Sequence, residues 1–278
     1  MIFRINTNIN AINTQNYLNK NSMVLGRSME RVSSGLRINR SADDASGLYI
    51  SEDFRAQLAS LKQASRNSGQ AATMMQTIEG GYDGISGILT RLKELAVQAS
   101  DSALSDDNRT VIVEEAGQLF EEIDRIANTT TFNKMFPLGG DNGVYTFQVG
   151  AGGENGQIDI TVEGARVKDL FGEPPIITSA DFGTTASAST AIDNIDIAVD
   201  NLSVNRADVG AFMNRLEYTA ANINTAIENT MASDSAIRDA DIATEISEMT
   251  RAQILVQAGT SMLAQANMMP QNALSLLR

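Results

Sequence analysis

Paired carboxylates are the feature of this sequence that comes nearest to catalytic machinery. The pairs are Asp43/Asp44, Glu114/Glu115 and Glu121/Glu122. Two such groups could supply a general acid and a general base for hydrolysis. On a helix, however, neighbours in sequence point about 100° apart, so the members of each pair do not face one site. The pattern therefore predicts no hydrolytic centre.

The side chains that most enzymes rely on are missing. The 278 residues include no His and no Cys, which excludes an imidazole base, a thiolate nucleophile, a disulfide and a Cys/His zinc site. The acidic residues Asp193, Asp196 and Asp200 lack the glycine of a calcium loop. A glycine run at 149–156 has Asn155 where a dinucleotide fingerprint needs its third glycine. We expect no enzyme, no cofactor and no metal.

Charge argues against two classes of partner. The chain has 21 basic and 34 acidic residues, a net charge of −13, and residues 101–200 hold 18 of the acidic residues but only five of the basic ones. Nucleic acids and anionic lipid surfaces repel such a segment. No run of about 20 apolar residues suggests a membrane span. We therefore expect neither nucleic acid nor membrane as a partner.

Heptad repeats define the elements on either side of the centre of the chain. From Ile192 to Ile227, apolar residues recur with alternating gaps of three and four, and Arg206 is the exception. Two further runs with this spacing extend from Met74 to Ala99 and from Ile112 to Ile126, separated by a polar break at 101–108 that offers helix N-caps. This spacing predicts a mainly α fold, an elongated helical bundle or coiled coil.

The centre has the composition of a small β-hairpin. VYTFQV at 144–149 and QIDITV at 157–162 are rich in β-branched and aromatic residues, and the glycine-rich AGGENG joins them. Prolines occur only at 137, 174, 175 and 270, so the arms on either side of this centre are free to be helical up to Pro270, where we expect the last helix to stop.

Both ends of the chain carry an apolar stripe that needs a partner. The stripes comprise Leu18, Leu25, Met29, Val32 and Leu36 near the start, and Ile242, Ile246, Met249, Val256 and Leu263 near the finish. About thirty helical residues span roughly 45 Å, which a globular body does not easily cover. We expect residues 1–40 and 240–278 to remain largely disordered in the monomer and to fold on joining other copies in an open helical polymer.

Several stretches resemble bacterial flagellin. In the first arm they are RVSSGLRIN at 31–39, SADDASGLYIS at 41–51, RLKELAVQAS at 91–100 and EIDRIANTTTFN at 122–133. In the second arm they are NRLEYTAANI at 214–223, ENTMASDSAIRDADIATE at 228–245 and ANMMPQNALSLLR at 266–278. The resemblance covers both arms, and only about 134–190 departs from the family, as in a short flagellin with a minimal central variable region.

The resemblance implies a structural subunit of the flagellar filament, used for motility. Residues 1–42 and 238–278 would form the inner tube, 43–133 and 191–237 the helical rod, and 134–190 the hairpin and outer loop. The family also implies an extracellular location, reached through the flagellar export apparatus without a cleaved signal peptide.

The same resemblance implies a set of partners. These are other copies of the chain, the filament cap, the hook-junction proteins and an export chaperone. The chaperone would cover an apolar stretch containing Ile254, Leu255, Met262, Leu263, Leu274, Leu276 and Leu277. A vertebrate Toll-like receptor binds flagellins through residues that match Arg91, Leu95 and Glu115 here; the alternative is that Arg91 and Glu115 are ordinary contacts between subunits.

Two other functions stay open on the sequence alone. A hook-filament junction protein would share the terminal motifs. A soluble adhesin or immune-modulating binding protein would instead use a glycosylated outer loop, with Thr178, Ser179, Thr184, Thr185, Ser187 and Ser189 as acceptors.

Overall fold

Helices make up most of the described chain. The computed structural model describes residues 7–139, 143–172, 175 and 177–275, without the side chains of Glu154 and residues 270–275. The helices are α1 (Ile9–Ser34), α2 (Ala45–Ala99), α3 (Asp106–Thr129), α4 (Val167–Phe171), α5 (Thr185–Arg238) and α6 (Ile242–Ser275). The strands are β1 (Gly143–Gln148) and β2 (Gln157–Val162). The predicted mainly α class with a small central hairpin is confirmed.

Contacts divide the chain into two units. The terminal unit comprises Met1–Leu58 and Asn229–Arg278, and the central unit comprises Ala59–Glu228, so α2 and α5 each contribute to both. Parts of the predicted segments 1–42, 238–278 and 134–190 lie outside the described residues, namely 1–6, 140–142, 173, 174, 176 and 276–278.

The central unit has a continuous apolar core along its predicted heptads. On α5, the residues with at most 5% exposure recur every seven positions: Ile195, Leu202, Val209, Leu216 and Ile223. Ala188 extends this row upstream, which is why α5 begins at Thr185 and not at 191. Arg206, the polar exception, stays half-buried and binds Glu79 on α2 with Nε and Nη2 at 3.0 and 2.6 Å. Hydrogen bonding to Glu79 raises the pKa of Arg206.

The break between α2 and α3 is closed by a buried arginine. Ser105 caps α3 by accepting a hydrogen bond from the Asn108 N–H, as the polar stretch predicts. Arg109, 7% exposed, donates to the backbone carbonyls of Ala99 and Asp101 at 3.1 and 2.6 Å. A third bond reaches the Thr185 hydroxyl at the start of α5. A fourth bond, to Asp106 Oδ1 at 3.1 Å, lies within the first turn of α3. The sequence offers no sign of the other three bonds, because their acceptors lie outside that turn.

The hairpin is anchored to the core by one face. β1 and β2 pair antiparallel, with Tyr145 opposite Ile160 and Phe147 opposite Ile158. Ile158, Ile160 and Val162 alternate into the interior. The Gln148 amide crosses the glycine-rich turn and donates to the Gly150 and Gly152 carbonyls at 2.8 and 2.5 Å. This stretch is therefore a turn and not a nucleotide-binding loop.

Close packing explains a glycine in the middle of α2. A Cβ at Gly81 would collide with the Leu138 side chain and press on Thr130. One turn of sequence later, Gly84 lies near Ile126. Glycines cost a helix roughly 1 kcal/mol each relative to Ala, so this tertiary packing stabilises the segment against that cost.

Candidate assembly surface on the terminal helices

The terminal unit is built on an antiparallel pair of helices. Four contacts set the register of α1 against α6 and the linkers beside them: Asn8 with Ala266, Leu18 with Gly259, Arg31 with Glu245, and Leu36 with Asp239. The residues buried between the helices are small, namely Ser28, Ala252 and Ala266. Small contact residues bring the two backbones close together and leave the large side chains outside the contact.

The predicted apolar stripes lie along this pair without being fully covered by it. Leu18, Leu25, Val32, Leu36, Met249, Val256 and Leu263 are half-buried. Met29, Ile242 and Ile246 are 55%, 40% and 44% exposed. The two stripes therefore lie on one helix pair, yet none of the ten residues is buried.

Large apolar side chains are exposed over the rest of the pair as well. Among the described residues, 15 large hydrophobic side chains with at least 38% exposure belong to the terminal unit, against eight in the longer central unit. Those in the terminal unit include Ile9, Ile12, Met23, Ile254 and Met262. Of the twelve largest fully buried side chains, only Ile38 belongs to the terminal unit. Large apolar side chains are thus mostly exposed in the terminal unit, whereas the central unit buries them in its core.

One ion pair crosses the helix pair. Arg31 Nη1 donates to Glu245 Oε1 at 2.9 Å, and the two side chains are only 25% and 12% exposed. An ion pair shielded in this way is screened less by salt than a surface one. Sequence reasoning missed it, although both residues fall inside the flagellin-like stretches 31–39 and 228–245.

The linkers that leave the two helices are tied to each other. Gly35 ends α1 at φ 73°, a left-handed conformation that suits glycine, and its carbonyl accepts from the Ala240 N–H at 2.9 Å. The Arg37 N–H donates to the Arg238 carbonyl at 2.7 Å. Nearby, the buried Ser51 hydroxyl donates to Asp234 Oδ1 at 2.6 Å. The chain thus enters and leaves the terminal helix pair at one hydrogen-bonded point.

The end of α6 corrects one prediction. The helix does not stop before Pro270 but continues to Ser275. Proline has no N–H to donate to the carbonyl four residues earlier, which is that of Ala266. The Asn8 side-chain amide donates to this carbonyl instead, at 2.7 Å, while its Oδ1 accepts from the Ala11 N–H and caps α1. A residue 258 positions away in sequence therefore supplies the missing donor.

The predicted receptor residues are separated by burial. Arg91 Nη2 and Glu115 Oε1 form an ion pair at 2.8 Å with both side chains more than 40% exposed. A second carboxylate, Glu94, binds Arg91 Nη1 at 2.9 Å. Hydrogen bonds to Glu115 and Glu94 raise the pKa of Arg91. Leu95 is 1% exposed and belongs to the core.

Acidic side chains have structural partners here. Asp44 accepts from the Gly47 N–H at the start of α2, and Glu122 binds Arg125 at 2.6 Å. Within the ranges that the structure describes, no three acidic residues converge as a metal site would require. Among the described helices, none combines the length and the apolar composition that a bilayer-spanning segment needs.

Hydroxyls of the proposed glycosylated loop are partly engaged. Thr178 donates to Asp181, Thr184 and Ser187 share a hydrogen bond of 2.6 Å, and Thr185 accepts from Arg109.

The apolar stretch predicted to bind the export chaperone is exposed on α6 at Ile254, Leu255 and Met262. Leu276 and Leu277 lie outside the described residues, as does the side chain of Leu274.

Two family models match the two arms of the chain. The bacterial flagellin N-terminal helical region matches residues 5–142, and the bacterial flagellin C-terminal helical region matches residues 192–277. A flagellin of Halalkalibacterium halodurans is 43% identical over 274 residues, 99% of each chain. A flagellin of Bacillus subtilis is 41% identical, over 99% of this chain and all of the other.

A solved structure shares the fold at low sequence identity. A putative flagellar hook-associated protein from Vibrio parahaemolyticus matches 71% of this chain and all of its own with a TM-score of 0.60 at 13% identity. That likeness concerns the fold alone, whereas the flagellin relatives match from end to end at 43% and 41% identity. The matched N- and C-terminal regions and the full-length relatives show that this chain belongs to the bacterial flagellin family.

Proposed function

We propose that the terminal unit is the surface through which this flagellin polymerises, with α1 and α6 forming the inner tube of the filament. Membership of the family makes the chain a structural subunit of the bacterial flagellar filament that assembles with its own copies outside the cell. The supporting observation is the concentration of exposed large apolar side chains on the terminal helix pair.

The free energy for assembly would come from covering those side chains. Each Leu, Ile or Met that passes from exposed to buried contributes about 1.5–3 kcal/mol before the entropy of ordering is subtracted. Thirteen of the fifteen exposed large side chains of the terminal unit are Leu, Ile or Met, which gives a large gross driving force. Because the exposed faces of α1 and α6 differ in sequence, they favour head-to-tail contacts, which generate an open helical polymer when the rotation between neighbours does not close into a ring.

Charge is distributed in a way that permits this crowding. The terminal unit contains ten basic and ten acidic residues, whereas the central unit contains 11 and 24. The entire net charge of −13 therefore belongs to the central unit. Neutral terminal units can approach one another without net repulsion, while acidic central units favour the outside of an assembly, where solvent and salt screen them.

Seeded elongation tests this proposal. Purified monomer added to sheared filament fragments should lengthen them under the electron microscope. Ile254→Ser, at a side chain 61% exposed on α6, should slow elongation about tenfold because a polar group must then be buried. Val111→Ser, 63% exposed in the central unit, is the matched control and should elongate as the unchanged chain does. Equal elongation by the two variants contradicts the assignment.

Export would require the same apolar surface to be covered before assembly. We assign this role to a flagellin export chaperone that binds the C-terminal stripe around Ile254, Leu255 and Met262 before passage through the flagellar export apparatus. The filament cap and the hook-junction proteins would then meet the chain at the two ends of the polymer. Co-purification of the chaperone with the unchanged chain but not with the Ile254→Ser, Leu255→Ser double variant tests the first of these contacts.

Recognition by a vertebrate Toll-like receptor is a second proposed function. Its support is the exposed Arg91–Glu115 pair, whose partners are both on the surface of the central unit. The buried Leu95 would act by holding α2 in place and not by touching the receptor. In a receptor reporter assay, Arg91→Ala should lower activity whereas Arg125→Ala, at a comparably exposed pair with Glu122, should not. Equal activity of Arg91→Ala and the unchanged chain removes the proposal.

A further inference from the structure

Composition directs oxidation of this chain to one residue type. The sequence contains 12 Met but no Cys, no His and no Trp. Thiols are absent, so the thioether of Met is the side chain that peroxides oxidise most readily here. Any effect of a peroxide on the folded subunit should therefore follow the positions of its methionines.

The described methionines range from buried to exposed, with Met213 and Met249 half-buried between the two extremes. Met74 and Met75, in the central core, are fully buried. Six methionines of the terminal unit are exposed: Met23 64%, Met29 55%, Met231 49%, Met262 61%, Met268 52% and Met269 38%. In the central unit, Met135 is exposed at 39%. Accessible thioethers are thus concentrated on the surface proposed above to become buried on assembly.

Oxidation would reverse the property on which that burial depends. A thioether is apolar and flexible and packs well in an irregular interface. Its sulfoxide is polar and needs a hydrogen-bond donor when it leaves water. One helical turn from Met29 lie Leu25 and Val32, and one turn from Met262 lie Ala258 and Ala266; none of these four side chains carries a hydrogen-bond donor.

We propose that the four most exposed methionines of the terminal unit, Met23 and Met29 on α1 and Met262 and Met268 on α6, are a peroxide-modification site that controls whether a free subunit can join a polymer. In this step a sulfur lone pair attacks one oxygen of hydrogen peroxide, the O–O bond breaks, an S–O bond forms and water leaves. The sulfur loses two electrons and the peroxide gains them. The proposal rests on the terminal unit being the polymerisation surface, and it adds a form of regulation to that surface.

Two consequences distinguish this site from indiscriminate damage. A free subunit should be sensitive, whereas a subunit already in a filament should be protected because its thioethers are covered. The modification should also be reversible, because the two epimer-specific methionine sulfoxide reductases, used together with a dithiol as reductant, return both sulfoxide epimers to the thioether and release water.

Seeded elongation after peroxide treatment tests the proposal. Peptide mass mapping of treated native monomer should show an added mass of about 16 Da at Met23, Met29, Met262 and Met268, and none at Met74 or Met75. Treated monomer should elongate sheared filaments about tenfold more slowly than untreated monomer. Reductase treatment should restore the rate, and filaments oxidised after assembly should show less modification at the same four positions.

Variants locate the effect. The quadruple variant Met23→Leu, Met29→Leu, Met262→Leu, Met268→Leu should keep its elongation rate after peroxide, whereas Met135→Leu should remain as sensitive as the unchanged chain. Sensitivity of the quadruple variant equal to that of the unchanged chain overturns the proposal, as does unimpaired elongation by oxidised monomer. If the quadruple variant does not elongate before oxidation, reductase rescue of the unchanged chain decides. Failure of unoxidised, unchanged monomer to elongate would count against the polymerisation surface itself.

Discussion

Asn8 joins the first helix of the chain to the last. Its side chain uses both polar ends, the oxygen as N-cap of α1 and the nitrogen as donor to the Ala266 carbonyl that Pro270 leaves without an N–H. Asn8 therefore satisfies a backbone N–H at the start of α1 and a backbone carbonyl near the end of α6. This explains how α6 passes a proline without losing a buried hydrogen bond.

Asn8→Asp separates the two roles of this side chain. Aspartate keeps the capping oxygen and suits the positive end of α1, but it turns a carboxylate oxygen toward the Ala266 carbonyl. We expect the terminal unit to lose about 1–3 kcal/mol, the cost of an unsatisfied buried polar group. Thermal depolymerisation of filaments, followed by light scattering, measures this loss.

Pro270→Ala provides the control for that variant. Alanine restores the backbone N–H, so the Asn8 donor becomes redundant and Asn8→Asp should cost much less in the Pro270→Ala background. An equal cost of Asn8→Asp in both backgrounds would show that the bond to Ala266 contributes nothing.

At the scale of elements, α5 shows how a heptad becomes a core. Its buried row recurs every seven residues, while residues between these positions, such as Val204 at 61% exposure, face solvent. The single polar member of the apolar spacing, Arg206, is held at the margin of the core by Glu79 and Asp83. A repeat that contains an arginine therefore remains compatible with close packing.

Leu202→Ala should destabilise the central unit by about 2–5 kcal/mol, because it leaves a cavity at a side chain only 2% exposed. Val204→Ala removes a smaller side chain from the exposed side of the same helix and should change the free energy of unfolding by less than about 0.5 kcal/mol. Urea unfolding followed by circular dichroism compares the two. A loss for Leu202→Ala no larger than that for Val204→Ala would contradict the packing described.

For the whole molecule, the two units differ in what they bury. The central unit has a continuous apolar core, whereas the buried hydrophobic residues described in the terminal unit are Ile38, Ala252 and Ala266. Helices in water depend mainly on tertiary packing for their stability. The terminal unit is therefore expected to be the less stable of the two until other copies cover it.

Circular dichroism tests this expectation directly. We expect monomer to show less helix than polymer, and heating of monomer to give an early loss of helix from the terminal unit before the central unit unfolds. Limited proteolysis of the full chain should likewise cut first within the terminal unit. Helicity that is unchanged on polymerisation would exclude folding on assembly.

Local patterns in the sequence predict most of the helices and the hairpin of this fold. The heptads of α2, α3 and α5, the Ser105 cap and the β1–β2 hairpin are all readable from the sequence, since each depends on residues within one or two turns or across a short loop. The flagellin-like stretches likewise predicted the family. The absence of His and Cys by itself excludes imidazole, thiolate and disulfide chemistry, because no arrangement of the chain can supply a side chain that it lacks.

Tertiary structure alone decided how distant residues meet. The Asn8–Ala266 bond, the Arg31–Glu245 ion pair and the buried position of Arg109 join segments whose spacing in sequence carries no periodic signal. Leu95 and Arg91 are one turn apart, yet only the packing of α2 shows that the first is core and the second is surface. Pro270 predicted the end of the last helix because the lack of a backbone N–H can be read from the sequence. The donor that replaces this N–H, the side chain of Asn8, comes from the other end of the chain and is seen only in the folded structure.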